Sequence, residues 1–198
     1  WLAHEVCMKG CDKDCKTCTI TGSTFNAVKD CKTCTITGST FNAVAEWVYG
    51  IINACDGEYM EYDNWLGVRS RKMKEYRAVR DALLSRIAVV NIKKSSGAKS
   101  SDMKDIMSYA EWDKDYLKEQ IELIKPTVIV CGGTYEMLRH IYSELKEMER
   151  SSNGATMLRN IKVIASCHPN AHIKNEEKYR AVVEGYINLL RHEKRAGQ

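Results

Sequence analysis

Three short apolar runs, 87–91, 127–131 and 162–167, alternate along the chain with longer segments whose apolar residues recur every three or four positions. The short runs read as strands, and the uninterrupted second run suits a strand covered on both faces. The longer segments read as helices. Phe41, Val44, Ala45, Val48, Ile51 and Ile52 form one stripe, with Ser39 or Thr40 as its cap. A polar stretch at about 55–68 precedes a basic helix that begins near Arg69 and sets Arg71, Lys74, Arg77 and Arg80 against Tyr76, Val79, Leu83 and Leu84. Lys93 to Asp102 reads as a loop. Asp113 to Lys125 predicts a helix with Leu117, Ile121 and Ile124 inward, stopped by Pro126. Further helices are expected from about Tyr135 to Glu149 and from about Asn175 to His192, with Ser151-Ser152-Asn153-Gly154 a turn. Such alternation predicts an α/β fold: a three-layer α/β/α sandwich around a short, mostly parallel sheet.

Each predicted strand ends in polar residues. The first delivers Asn91, the second the Gly132-Gly133-Thr134 turn, the third His168-Pro169-Asn170. In open α/β sheets ligands bind outside the carboxyl ends of the strands, so this convergence marks a candidate site. Plainer readings exist for each part: Asn91 as a strand-end cap, His168 as a turn residue, the glycines as a strand-to-helix junction. Asn170 and His172 read as flanking loop residues, and Cys131 and Cys167 as packing residues. Three coincidences at three strand ends weaken the plain readings taken together.

Composition narrows the class. A chain of 198 residues with 44% hydrophobic content and only 2 prolines holds a real core and is not disordered. No apolar run approaches the roughly 18 residues of a membrane span. A net charge of +4 permits nucleic-acid binding without demanding it. The start, Trp1-Leu2-Ala3-His4-Glu5, lacks an initiator Met and a signal-peptide pattern, which suggests a fragment or a processed product. Six of the 9 cysteines fall in the first 34 residues. An odd total without a secretory signal points to a reducing cytoplasm.

Residues 13–28, KDCKTCTITGSTFNAV, recur letter for letter at 29–44. The repeat produces Cys15-x2-Cys18 and Cys31-x2-Cys34, a spacing shared with zinc ribbons and iron–sulfur frameworks, to which Cys7 and Cys11 could add ligands. The second pair is a copy of the first and not independent evidence, so inert thiols are preferred and no metal or other cofactor is expected. The chain is divided into a cysteine-rich segment, 1–38, and one α/β domain, 39–198. The basic helix is either a solvated face or a phosphate-contacting surface.

Three strings together resemble the uracil-DNA glycosylase superfamily. Val89-Val90-Asn91-Ile92-Lys93-Lys94 is similar to that family's strand ending in a base-reading asparagine. Residues 116–132, YLKEQIELIKPTVIVCG, look like its helix-then-strand block, and Ser166-Cys167-His168-Pro169-Asn170 resembles its second signature, usually His-Pro-Ser. The resemblance covers about 87–173. It implies a DNA repair hydrolase acting on a flipped, deaminated base, with single-stranded or uracil-containing DNA as partner and no membrane association. By the same resemblance Asn91 reads the base, Phe41 stacks on it, and His168 is the catalytic donor to the departing uracil. Gly132, Gly133, Lys93, Lys94 and Asn170 would contact DNA. One departure stands out: residues 1–24 hold no apolar strand leading into a Gly/Pro-rich acidic turn, where active members position the attacking water. Ser95 and Ser96 stand where members with an iron–sulfur cluster carry a cysteine. A base-binding protein of the same fold that does not cut is the second expectation. A NAD-type enzyme is disfavoured, because no G-x-G-x-x-G follows any predicted strand.

Overall fold

In the computed structural model, which describes residues 2–3, 39–54, 58–93, 102–147 and 154–196, one strand divides the core. β3 (Val128–Gly132) is buried at every position. Val128 and Val130 enter one apolar cluster while Ile129 and Cys131 enter a second, as the two-residue period of a strand requires. The first cluster is completed by α1 (Ser39–Asn53), α2 (Tyr62–Arg69), α3 (Met73–Leu84) and α8 (Asn175–Ala196), through Trp47, Trp65, Leu84 and Val182 among others. The second is completed by α4 (Met103–Trp112), α5 (Lys114–Ile124), α6 (Tyr135–Ile141) and α7 (Glu144–Glu147), through Ala110, Leu117, Met137 and Leu145. Helices thus cover both faces of the sheet. No described helix is long and apolar enough to cross a membrane.

With β1 (Leu2–Ala3), β2 (Ile87–Ala88), β4 (Ala155–Leu158) and β5 (Ile161–Ser166), the sheet has the order β2-β1-β3-β5-β4. The expected mostly parallel sheet is corrected to a mixed one: β3 and β5 pair in parallel, and the other three pairings are antiparallel. The cause is partly local. β4 joins β5 through the two-residue turn Arg159-Asn160, a link that can only produce antiparallel strands. Arg159 adopts the positive φ of 54° that such a tight turn requires. The dipeptide β1 lies between β2 and β3 and runs against both. β2, β3 and β5 therefore all run the same way, and their carboxyl ends share one edge of the sheet.

Several elements differ from the sequence reading. The stretch 55–68 is not simply polar: it contains α2, anchored by the buried Trp65 and Val68. The basic helix starts at Met73, after a break at Ser70–Lys72. α4 was not expected, and neither was β4. The helix predicted over 135–149 breaks at Tyr142, whose backbone is extended and whose ring is buried in the second cluster. α5 ends as anticipated before Pro126, with Lys125 turned to φ 50°, because a residue preceding proline disfavours the right-handed helical region. The cysteine-rich segment from 4 to 38, including the repeat up to that point and the CxxC pairs, lies outside the described residues.

The tightest helix contact joins α1 to α8. A Cβ added at Gly50 would lie 2.3 Å from Val183 Cγ2 and 2.8 Å from the ring of Tyr179. Gly50→Ala is therefore expected to lower the unfolding free energy by about 1–3 kcal/mol, the usual cost of overpacking. Urea unfolding of the two chains measures this, and an unchanged midpoint would mean that α1 and α8 do not meet there.

Candidate functional site

The best-defined polar structure sits where β5 ends. His168-Pro169-Asn170-Ala171 is a β-turn, closed by the Ala171 N–H donating to the His168 carbonyl at 2.8 Å. Pro169 occupies the second position, where its fixed φ suits the turn. The turn returns the Asn170 N–H to His168 Nδ1 at 3.1 Å. A neutral imidazole that accepts at Nδ1 carries its proton on Nε2. His168 is exposed, so this proton is available to a ligand at the sheet edge.

Two helices hold the turn from outside. The Asn170 side chain donates from Nδ2 to Thr40 Oγ1, in the first turn of α1, at 2.5 Å. From the first turn of α8, Lys178 Nζ donates to the Pro169 carbonyl at 2.7 Å and the Ala171 carbonyl at 3.3 Å. Lys178 is only 4% exposed. β3 reaches the same place. The Gly133 N–H donates to the Ser166 carbonyl at 2.7 Å, and its φ of 76° lets the chain leave the strand. A Cβ at Gly133 would meet the His168 backbone nitrogen at 3.5 Å and His168 Cβ at 3.6 Å. A cavity of about 440 Å³ opens beside this junction, lined by Gly133, Ser166, Cys167, Ile173, Glu177 and Lys178 among others. Among the described residues the buried Ser166 hydroxyl meets no hydrogen-bond partner.

The structure thus brings together Gly133, His168, Asn170 and the first turn of α1, where Phe41 follows Thr40. Phe41 is half-buried and packs against the first apolar cluster. Gly132 is buried within β3. Asn91 is exposed and lies three residues beyond β2, on the edge that holds His168. In the order β2-β1-β3-β5, three strand spacings separate the two lines, about 14 Å at the usual interval. Lys93 turns away to α4: it forms an ion pair with Asp105 and sits 5.0 Å from the centre of the Tyr109 ring. Its hydrogen bond to Asp105 raises its pKa further above the ordinary lysine value. Lys94 lies outside the described residues. Cys131 is buried, and burial pushes its thiol up to about 11, as befits a packing residue; Cys167 is half-buried at the cavity.

Sequence reasoning missed Thr40 as a tether, and it missed Lys178 and Glu46 entirely. Glu46, on α1, is fully buried, with Arg69 Nη1 at 3.5 Å and the Tyr62 hydroxyl at 3.4 Å. Both charges were visible as misfits in their helices. Lys178 falls four residues before Val182 on the buried stripe of α8, and Glu46 lies within 43–48, where α1 is buried all round.

In comparisons with known proteins, no protein-family model, no curated protein and no solved structure matches the chain. The chemistry of the site must be read from its own geometry.

Burial raises the pKa of Glu46, while the neighbouring Trp65 indole, Arg69, Tyr62 and the charge of Lys178 pull it down by less. A carboxyl raised in the folded state favours folding at low pH, and that contribution disappears as pH rises through the folded pKa. Relative to the parent chain, Glu46→Gln should therefore lose less stability on going from acid to neutral pH. Urea unfolding between pH 4.5 and 8 checks this. Parallel stability–pH curves for the two proteins would show that Glu46 ionises in the folded state as freely as in water.

Proposed function

We propose that the chain is a uracil-DNA glycosylase-like enzyme, hydrolysing the N-glycosidic bond of a flipped deaminated base. The observation that carries this reading is the His168 side chain, whose Nδ1 is occupied by the Asn170 N–H and whose Nε2 therefore donates. Negative charge builds on O2 of uracil as it departs, and a preoriented donor at developing charge is often the largest catalytic contribution. Asn91, on the same edge, offers an acceptor and two donors that complement N3–H and O4 of uracil. Cytosine presents the opposite pattern and would leave buried groups unpaired, at about 1–3 kcal/mol each. Gly133 lets backbone approach a strand of DNA closely, and Phe41 supplies an aromatic near the turn. The reading includes the family's three-layer α/β/α arrangement, supported by the helices on both faces of the sheet.

One observation favours the second reading, a protein that binds a flipped base without cutting. β1 runs against β3, so its carboxyl end leads away from the edge that holds His168. An acidic residue following that strand is not delivered to the site by the strand itself. The two readings separate in one assay of base release from a single-stranded oligonucleotide carrying one uracil. The enzyme reading expects release by the full chain, falling by about 10²-fold or more in His168→Ala and in Asn91→Ala. Tighter binding to uracil-containing than to matched DNA, without release, would establish the binder. Absence of both signals would overturn the base-recognition reading altogether.

A further inference from the structure

One peptide group, between Pro169 and Asn170, is engaged at both ends. Its carbonyl accepts from Lys178 Nζ at 2.7 Å, and its N–H donates to His168 Nδ1 at 3.1 Å. The imidazole then presents Nε2–H outward. Lys178, the peptide and the imidazole so form a directed chain of donors that begins at a buried positive charge. Hydrogen bonds in such chains polarise one another, and a charged donor at the head is stronger than a neutral one.

We infer that Lys178 is a positioning residue for His168, fixing its Nε2–H tautomer through the Pro169–Asn170 peptide and strengthening donation from Nε2. Only the identity of the acceptor, a departing base anion, rests on the glycosylase reading; the effect on the imidazole does not. Space filling alone does not explain a lysine here. Burying an ammonium is costly, and an unbranched apolar side chain would pack against the same helix without that cost. Anchoring alone does not explain it either, because Thr40 already tethers the turn from α1. What Lys178 adds is charge. The ionisable groups facing it are Glu46 on α1, which responds to its charge, and Glu136 on α6 and Glu177 on α8, which line the cavity with it. None of these stands between Lys178 and the peptide carbonyl it contacts.

The test uses the full chain labelled with ¹⁵N-histidine. Imidazole nitrogen shifts distinguish the two neutral tautomers and follow protonation with pH. In the parent, His168 should be the Nε2–H tautomer; an Nδ1–H tautomer there would overturn the inference without any variant. In Lys178→Met, the tautomers should mix, because the charged donor that polarises the Pro169–Asn170 peptide has been removed. Lys178→Arg, which keeps the charge and has the cavity to extend into, should restore the parent pattern. Thr40→Val, which loosens the same turn without touching the charge, should leave the His168 shifts near those of the parent. Equal effects of Thr40→Val and Lys178→Met, or no effect of Lys178→Met, would reduce Lys178 to an anchor and sink the proposal. If Lys178→Met does not fold, Lys178→Gln, which removes the charge and keeps a donor, takes its place, and parent-like His168 shifts in it would sink the proposal. Where uracil release is measurable, Lys178→Met should lower kcat about tenfold with little change in KM, less than the loss from removing the donor itself. A shifted tautomer without any uracil release would support the relay while rejecting the glycosylase reading, so the two fail separately.

Discussion

The parallel pairing of β3 with β5 is the constraint on which the site depends. Five residues pair in register, from Val128 with Lys162 to Gly132 with Ser166. The two chains therefore arrive at the sheet edge together, and the ladder runs one bond further, from the Gly133 N–H to the Ser166 carbonyl. Beyond that bond Gly133 lies beside His168, close enough that a Cβ added to the glycine would meet the histidine backbone at 3.5 Å. The register is not free to slip. A shift of one residue would send Val128 and Val130 to the face that now receives Ile129 and Cys131, exchanging their places in two separately packed clusters. Apolar packing deep in the sheet thereby sets the relation between a glycine turn and a histidine turn at its edge.

A second constraint acts from one helical layer. α1 and α8 approach closely because Gly50 presents no side chain to Val183 and Tyr179. Their first turns end on the same tetrapeptide, α1 through Thr40 and α8 through Lys178. The His168 turn is therefore positioned by two packed helices and not by its own loop sequence alone. Among the described residues, the same pair of helices carries the buried acid and the buried base, Glu46 and Lys178, each provided with polar partners. Rigid elements hold a side chain more closely than loops do, which is what donation along one fixed direction requires.

The strand ends were legible because buried strands give short apolar runs, and polar residues immediately after such runs stand out. Asn91, Gly133 and His168 were singled out in this way, and the structure sets Gly133 beside His168 while Asn91 follows β2, three strand spacings away. β4 was not, since Ala155-Thr156-Met157-Leu158 is short and follows a strong turn signal. α4 escaped because it begins immediately after a polar stretch of sequence and buries only Ala110 fully. The break between α6 and α7 follows from the burial of Tyr142, which is tertiary packing that a helical pattern does not encode. The bond from Asn170 to Thr40 spans 130 positions, so neither residue signals the other. Lys178 was readable as a cation on an apolar stripe, but its acceptors are backbone carbonyls, and those have no sequence signature.

The buried charge bears on what the site is for. Binding a neutral base needs donors and acceptors of the right pattern, and an imidazole whose Nδ1 accepts from the Asn170 N–H already supplies the donor at Nε2. A positive charge behind that donor adds little to recognition of an uncharged ring. It adds much more when the acceptor becomes an anion, because an interaction that strengthens as charge develops lowers the barrier instead of deepening the bound state. The cost of burying Lys178 is borne in every state of the protein, whereas the corresponding gain appears mainly when negative charge forms near His168 Nε2. On the proposed reading, that asymmetry suits an enzyme that expels a base anion better than a protein that only holds a flipped base.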